Sequence, residues 1–278
     1  MNTRTITATL ALFSLGCLSL SAQNGNYRVE QIVQLKMDQS KNKMDTIIQK
    51  YDYNNGQLTQ VTFLKNKTVI DVHSYKYENN TITVNNKNNR MERSYTMDKS
   101  NVMQEYWNDG CDKFTFSYSK GKIKSIDRYD KCDDYNEGND FVYNGQMLSK
   151  VKTYVKSQPK ISTDYSFTYD NGKIVKIVWD QNLELYSIKW DGTKISYIDH
   201  SKMGARDWKD EFVYDENGNI KEETIYKIVK GTEVVSDKYI ISYSANKGND
   251  NIVWSTYYWK INIFINQRSY NKFVQMRY

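Results

Sequence analysis

The chain reads as an all-β protein in which antiparallel hairpin repeats join into one large, strongly twisted and coiled sheet: an open roll, a spiral or a barrel-like form. Three observations predict this. Pairs of aromatic or apolar residues two positions apart recur every 20 to 29 residues: Tyr51/Tyr53, Tyr75/Tyr77, then Phe116/Tyr118, Phe141/Tyr143, Phe167/Tyr169, Ile188/Trp190, Phe212/Tyr214 and Ile241/Tyr243. Asp, Asn or Ser and then Gly follow most of them, as in YDYNNGQL, FVYNGQM, FTYDNGKI, KWDGTKI and FVYDENGNI. A spacing of two puts both side chains on one face of a strand, and Asn-Gly or Asp-Gly supplies the positive φ angles of a tight hairpin turn. Finally, Val, Ile, Thr, Tyr and Trp dominate the runs between turns, and no repeat offers an apolar stripe longer than about one helical turn.

Along the chain, residues 1–22 (MNTRTITATLALFSLGCLSLSA) combine one cation, Arg4, an apolar stretch from Leu10 to Leu20 and small residues at the end, the layout of a secretory signal peptide. Ser14-Leu15-Gly16-Cys17 allows a second reading, a lipoprotein signal with a lipid anchor at Cys17. Residues 23–278 then form a single hairpin-repeat domain. The wide gap between Tyr77 and Tyr118 has room for a degenerate copy at Tyr95/Met97. Behind the turns, the apolar residues stand three apart, as Leu58/Val61, Ile123/Ile126, Leu148/Val151 and Ile174/Ile177. A flat strand would send such residues to opposite faces, so a bulge after each turn is expected to restore the parity.

Cys111 and Cys132 flank two strand-like runs that meet at Lys120-Gly121-Lys122. Their midpoint falls within a residue of that turn, so they mirror each other in a hairpin, where cross-strand Cα atoms at about 4.5–5.5 Å suit a disulfide. A Cys111–Cys132 bond is the expectation. NIVWSTYYWKINIFINQ (251–267), the most apolar stretch after the signal, is expected to close the sheet. Eight or nine hairpins mean on the order of 16 to 20 strands, and twisted open sheets rarely exceed about ten without curling, so this sheet must roll up. No single copy could close its own core, which is why the unit repeats.

YDYNNGQLTQVTF (51–63), FTYDNGKIVKIVW (167–179) and FVYDENGNIKEETIY (212–226) resemble YD repeats, the Tyr-Asp units of RHS-type bacterial surface and toxin-shell proteins, and the shorter exported proteins built from YD-like hairpins. The resemblance touches most of the chain after residue 22, with the full Tyr-Asp…Gly core in these three copies only. It implies a spiralling β-sheet and carbohydrate or surface binding. The family's self-cleaving shell segment is built around Asp-Pro, whereas Pro159, the only proline, follows Gln158. A toxin cocoon is therefore not supported.

Chemistry is sparse. There are two histidines: His73 shares a strand face with Tyr75 and Tyr77, and His200 has Asp199 and Ser201 as neighbours on the opposite face. The acidic run DKCDDYNEGND (130–140) lacks the ligand spacing of a calcium loop and reads as a connection between hairpins; DENGN (215–219) reads as a turn. No catalytic residue, metal site or cofactor is expected. Without Arg4 the chain carries 38 Lys and Arg against 33 Asp and Glu, interspersed, which does not make a nucleic-acid groove. The aromatics are the remaining lead: Tyr118, Tyr143, Tyr169, Trp190 and Tyr214 on a concave sheet could stack on sugar rings or take an apolar ligand. The resulting reading is a non-catalytic binding or surface-interaction protein, exported to the periplasm, outer membrane or medium. Its partners would be a glycan, an apolar ligand or an envelope protein. An outer-membrane β-barrel is the alternative, and a secreted glycan-active enzyme the third.

Overall fold

The computed structural model describes residues 27–245, except 39–42, 56, 99–100, 108–111, 121, 131, 133–134, 159–161, 180–182 and 203–204. Its strands are β1 (Tyr27–Asp38), β2 (Lys43–Asn54), β3 (Gln57–Lys65), β4 (Thr68–Glu78), β5 (Thr81–Asn85), β6 (Met91–Asp98), β7 (Asn101–Trp107), β8 (Asp112–Ser119) and β9 (Lys122–Asp130). The second half holds β10 (Tyr135–Asn144), β11 (Met147–Val155), β12 (Ser162–Asp170), β13 (Lys173–Trp179), β14 (Leu183–Asp191), β15 (Lys194–Lys202), β16 (Ala205–Tyr214), β17 (Ile220–Val229) and β18 (Thr232–Ala245). Each strand pairs antiparallel with its successor, and β18 pairs with β1 from Tyr27↔Ala245 to Lys36↔Asp237. The coiled sheet is thus a closed, 18-stranded, up-and-down barrel. The expected closing segment, 251–267, lies outside the described residues; the seam is made by β1 and β18.

The turns carry the predicted chemistry. Asn171 and Gly172 sit at φ 48° and 76°, both positive as a two-residue hairpin turn of the primed type requires. The bulges are there too. In β10–β11 the register passes from Val142↔Lys150 to Tyr143↔Leu148, leaving Ser149 unpaired. The same slip leaves out Thr59 in β3, Lys124 in β9, Val175 in β13, Ser196 in β15 and Lys221 in β17. Each bulge returns the residue three places on to the inner face, so Leu58 and Val61, or Ile174 and Ile177, are all buried. It also re-sorts β9: strict alternation pairs Ile126 with Lys124, whereas the bulge puts Ile126 inside and Ser125 and Asp127 outside.

Eighteen strands at ~4.8 Å, tilted by about 40°, would make a circular barrel roughly 35 Å across, too wide for side chains to meet at its centre. The inner faces are nevertheless sealed: Leu58, Val151 and Ile126 are 0% exposed and Tyr95 1%. The buried side chains of the inner faces belong to one apolar cluster. Beyond that layer, towards the end remote from the Asn-Gly turns, the inner face turns polar, with Gln34, Gln49, Glu137, Asn139, Thr153, His200 and Asp210 all buried. Glu137 and Asn139 belong to β10, so the acidic run read as a connection is strand in its second half. Asn139 Nδ2 donates to Glu137 Oε1 (3.2 Å) and Thr153 Oγ1 donates to Asn139 Oδ1 (2.8 Å).

The seam obeys the repeat. Val29 and Ile32 of β1 stand three apart with Glu30 left out of register, and face Tyr243 and Ile241 of β18. β18 and β1 are therefore the two halves of a ninth hairpin unit, with the described residues beginning and ending where its turn would stand.

Candidate functional site

The five predicted ligand aromatics are brought to one end of the barrel, the end of the Asn-Gly turns. Tyr118, Tyr143, Tyr169, Trp190 and Tyr214 are half-buried and packed against the core, in one rim with Tyr53, Tyr77 and Tyr243. Their polar tips have internal work. Tyr169 Oη donates to the carbonyl of Leu148 (2.8 Å), Trp190 Nε1 to Ile174 (2.8 Å) and Tyr214 Oη to Ile195 (2.9 Å). Tyr53, Tyr77 and Tyr243 do the same to Val29, Leu58 and Ile220.

Strand pairing explains the regularity. Between neighbouring hairpins the ladder stops short of the turns, at Lys150↔Ser166, Gln60↔Ser74, Lys176↔Ser187, Tyr197↔Glu211, Glu222↔Ile240 and Gln31↔Lys50. In each case the donor ring lies three residues beyond the last pair and the acceptor two residues beyond it on the other strand. The ring thus spans the splayed gap and satisfies a carbonyl that the ladder abandons. The degenerate copy supports this reading. Met97 has no donor on its side chain, and there the ladder runs on to Thr81↔Thr96, with the Met97 N–H donating to Asn80 (2.7 Å).

Lysines that follow the turns cover the same rings. Lys122 Nζ lies 4.9 Å from the Tyr143 ring centroid, Lys173 5.7 Å from Trp190 and Lys194 5.1 Å from Tyr214. Lys122 also donates to the Gly145 carbonyl (2.7 Å) and Lys173 to that of Gly192, tying each turn to the next. A sugar stacking on this rim would have to share these faces with an ammonium group. Burial pushes the Tyr214 phenol well above its ordinary range, opposed by its bond to Ile195.

Two constellations were not singled out in the sequence. His200 Nε2 lies 2.9 Å from Asp210 Oδ2, both inside the polar end, with the Tyr186 and Trp208 rings edge-on to the imidazole. The signal missed was cross-strand: His200 pairs with Trp208, two residues from Asp210. The second lies where β5, only five residues long, stops at Asn85 and leaves Asp71 and His73 of β4 overhanging. Glu92, the residue left out of register in β6, reaches across the gap. His73 Nε2 is 3.2 Å from both Asp71 Oδ2 and Glu92 Oε2. Asp71 and His73 share a face as i and i+2, which the sequence displays; their meeting with a residue 19 places further on depends on the shortness of β5.

Cys132 is disulfide-bonded. Its expected partner, Cys111, lies outside the described residues, next to Asp112, which pairs with Asp130.

No family model and no curated protein matches the chain. Among solved structures it is similar to a porin-like protein from Bacteroides uniformis, at TM-score 0.48 and 14% identity over 78% of this chain and 98% of that one. A porin-like protein from Bacteroides vulgatus gives 0.41 and 13%, over 78% and 98%. The Photorhabdus luminescens Tc holotoxin pore gives 0.27 and 11%, covering 73% of this chain and 15% of that one. At such identities and TM-scores these likenesses say nothing about what the chain does.

Proposed function

We propose that the chain works beside the bilayer, as an exported binding or surface-interaction barrel. The observation that carries this is the polarity of its two faces. A membrane-spanning barrel needs an apolar band about 25 Å tall all round its outside. Here the outward residues of β12 are Asp164, Ser166, Thr168 and Asp170, those of β8 and β9 include Thr115, Ser117, Ser125 and Asp127, and those of β16 include Lys209 and Glu211. Large apolar side chains line the inside instead. The outside does carry an apolar row, Ile240, Val33, Ile48, Leu64 and Val69, side by side across β18, β1, β2, β3 and β4, and exposed apolar side chains elsewhere, such as Tyr129, Val142 and Val213. The row covers five strands of 18, a strip for a partner surface and not a girdle. The aromatic rim of Tyr118, Tyr143, Tyr169, Trp190 and Tyr214 is the proposed contact for a glycan or apolar ligand.

The outer-membrane reading is favoured by one feature, the closed meander with an even strand number. Expression of residues 23–278 without detergent separates the two. Monodisperse, folded protein that leaves a planar bilayer silent supports the water-facing barrel; a detergent requirement together with discrete conductance steps would overturn it. A glycan panel, read for binding and for released reducing ends, then tests ligand class and the absence of catalysis.

A further inference from the structure

We propose that Asp71, His73 and Glu92 form a binding site for a divalent transition metal, with zinc the ion that the donor set fits. Their ligand atoms all lie within 4.8 Å of one another. In a tetrahedral zinc site, metal–ligand bonds of about 2.0–2.2 Å put neighbouring ligand atoms ~3.3 Å apart. His73 Nε2 stands 3.2 Å from each carboxylate, so an ion seated on the triad would leave these separations almost unchanged.

The outer oxygens are already held. The Val72 N–H donates to Asp71 Oδ1 (2.8 Å) and Asn86 Nδ2 to Glu92 Oε1 (3.1 Å). That leaves Oδ2 and Oε2 facing the imidazole, the kind of second-layer support that orients metal-bound carboxylates. The Phe63 ring packs against His73 with centroids 4.8 Å apart and limits its rotation.

Charge points the same way. Other carboxylates of the barrel wall meet cations: Asp45 meets Lys65, Asp127 Lys156, Asp164 Lys150, Glu222 Lys238, and Glu233 Arg206. Among the described residues, no Lys or Arg pairs with Asp71 or Glu92. Lys87, which crosses the same notch, donates to the Ile70 carbonyl (2.9 Å). Two carboxylates thus converge on one nitrogen with only the imidazole between them, and a dication would neutralise both. Three protein ligands leave a fourth position for water or for a ligand atom.

The test uses the folded chain stripped with a chelator and titrated with Zn²⁺ by calorimetry and with Co²⁺ by visible absorption. The expected result is one metal per chain, a Tm that rises with metal concentration, and a tetrahedral-type Co²⁺ spectrum. His73→Ala and Glu92→Gln, each checked for an unchanged far-ultraviolet spectrum, should weaken binding at least a hundredfold, and Asn86→Ala about tenfold. No saturable binding by the parent chain overturns the site. So does a parent chain and a folded Glu92→Gln variant that bind equally.

Discussion

Replacing Tyr169 by Phe removes one oxygen and nothing else, and so isolates the bond that ties one hairpin to the next. In the parent chain that hydroxyl donates to the Leu148 carbonyl at 2.8 Å. A neutral hydrogen bond contributes about 0.5–1.5 kcal/mol net, and an acceptor left unpaired in a dry site costs about 1–3 kcal/mol. Tyr169 is half-buried, so water can partly replace the lost donor, and the lower part of that range applies. The expected cost is about 1–1.5 kcal/mol, a fall in Tm of roughly 3–5 °C for a domain of this size. Replacing Tyr53, Tyr77, Tyr169, Tyr214 and Tyr243 together sums to about 5–7 kcal/mol, comparable with the whole stability of an ordinary domain, and a departure from that sum measures the coupling of Tyr214, Tyr243, Tyr53 and Tyr77, which stand on successive hairpins. Urea unfolding followed by circular dichroism measures both. Tyr197→Phe, on the outside of β15 with its ring under Lys209, is the control and should stay within about 0.5 kcal/mol. If Tyr169→Phe matches that control, the rings fill space and the ladder gaps are satisfied by something else.

Three further outcomes are expected. Lys67 holds φ at 67° beside Asn66 at 50° in the β3–β4 turn, so Lys67→Gly should relieve a left-handed penalty and stabilise the chain by about 1 kcal/mol in the same unfolding assay. Asp210→Ala strips a buried imidazole of its partner at 2.9 Å and should cost about 3 kcal/mol, with Asp210→Asn, which keeps an acceptor, costing less. Alkaline titration should show the rim and core phenols resisting ionisation: burial raises Tyr51, Tyr95, Tyr165 and Tyr214 above the ordinary value of 10.0. Because the folded chain then keeps protons that the unfolded chain gives up, stability is full below about pH 10 and declines above it. Phenolate absorbance that tracks unfolding checks this, and early, gradual ionisation of these groups in folded protein would contradict it.

Much of the fold was legible because hairpins are local. An aromatic pair, a turn and an apolar pair lie within about a dozen residues, and even the three-residue spacing of Ile174 and Ile177 announced the bulge that buries both. What could not be read is whatever joins one hairpin to another. The second member of each pair is nearly always a ring with a donor, Tyr or Trp, where the first is often Phe or Ile. That asymmetry is visible in the sequence, but its use in joining hairpins is not, because the acceptor, a backbone carbonyl some 20 residues away, leaves no mark in the side-chain sequence. The triad at Asp71, His73 and Glu92 was hidden for the same reason: its third member is neighbour to the first two only because an intervening strand is five residues long.

Closure follows from the same unit, applied where it is least visible. A coiled sheet of whole hairpins would end in two unpaired edges, each inviting another chain. Here the repeat is cut at its turn: the half with the pair Ile241 and Tyr243 ends the described residues, and the half with the apolar pair, Val29 and Ile32, begins them. The two halves pair with one another, so the contact that completes the unit also joins the ends of the sheet. The ring of Tyr53 then reaches Val29 and that of Tyr243 reaches Ile220, carrying the donor-to-carbonyl pattern across the seam without a break. On the outer wall, Ile240, Val33, Ile48, Leu64 and Val69 stand side by side across this seam, the contiguous apolar row a neighbour would meet there, while Tyr129, Val142 and Val213 are exposed elsewhere on the wall.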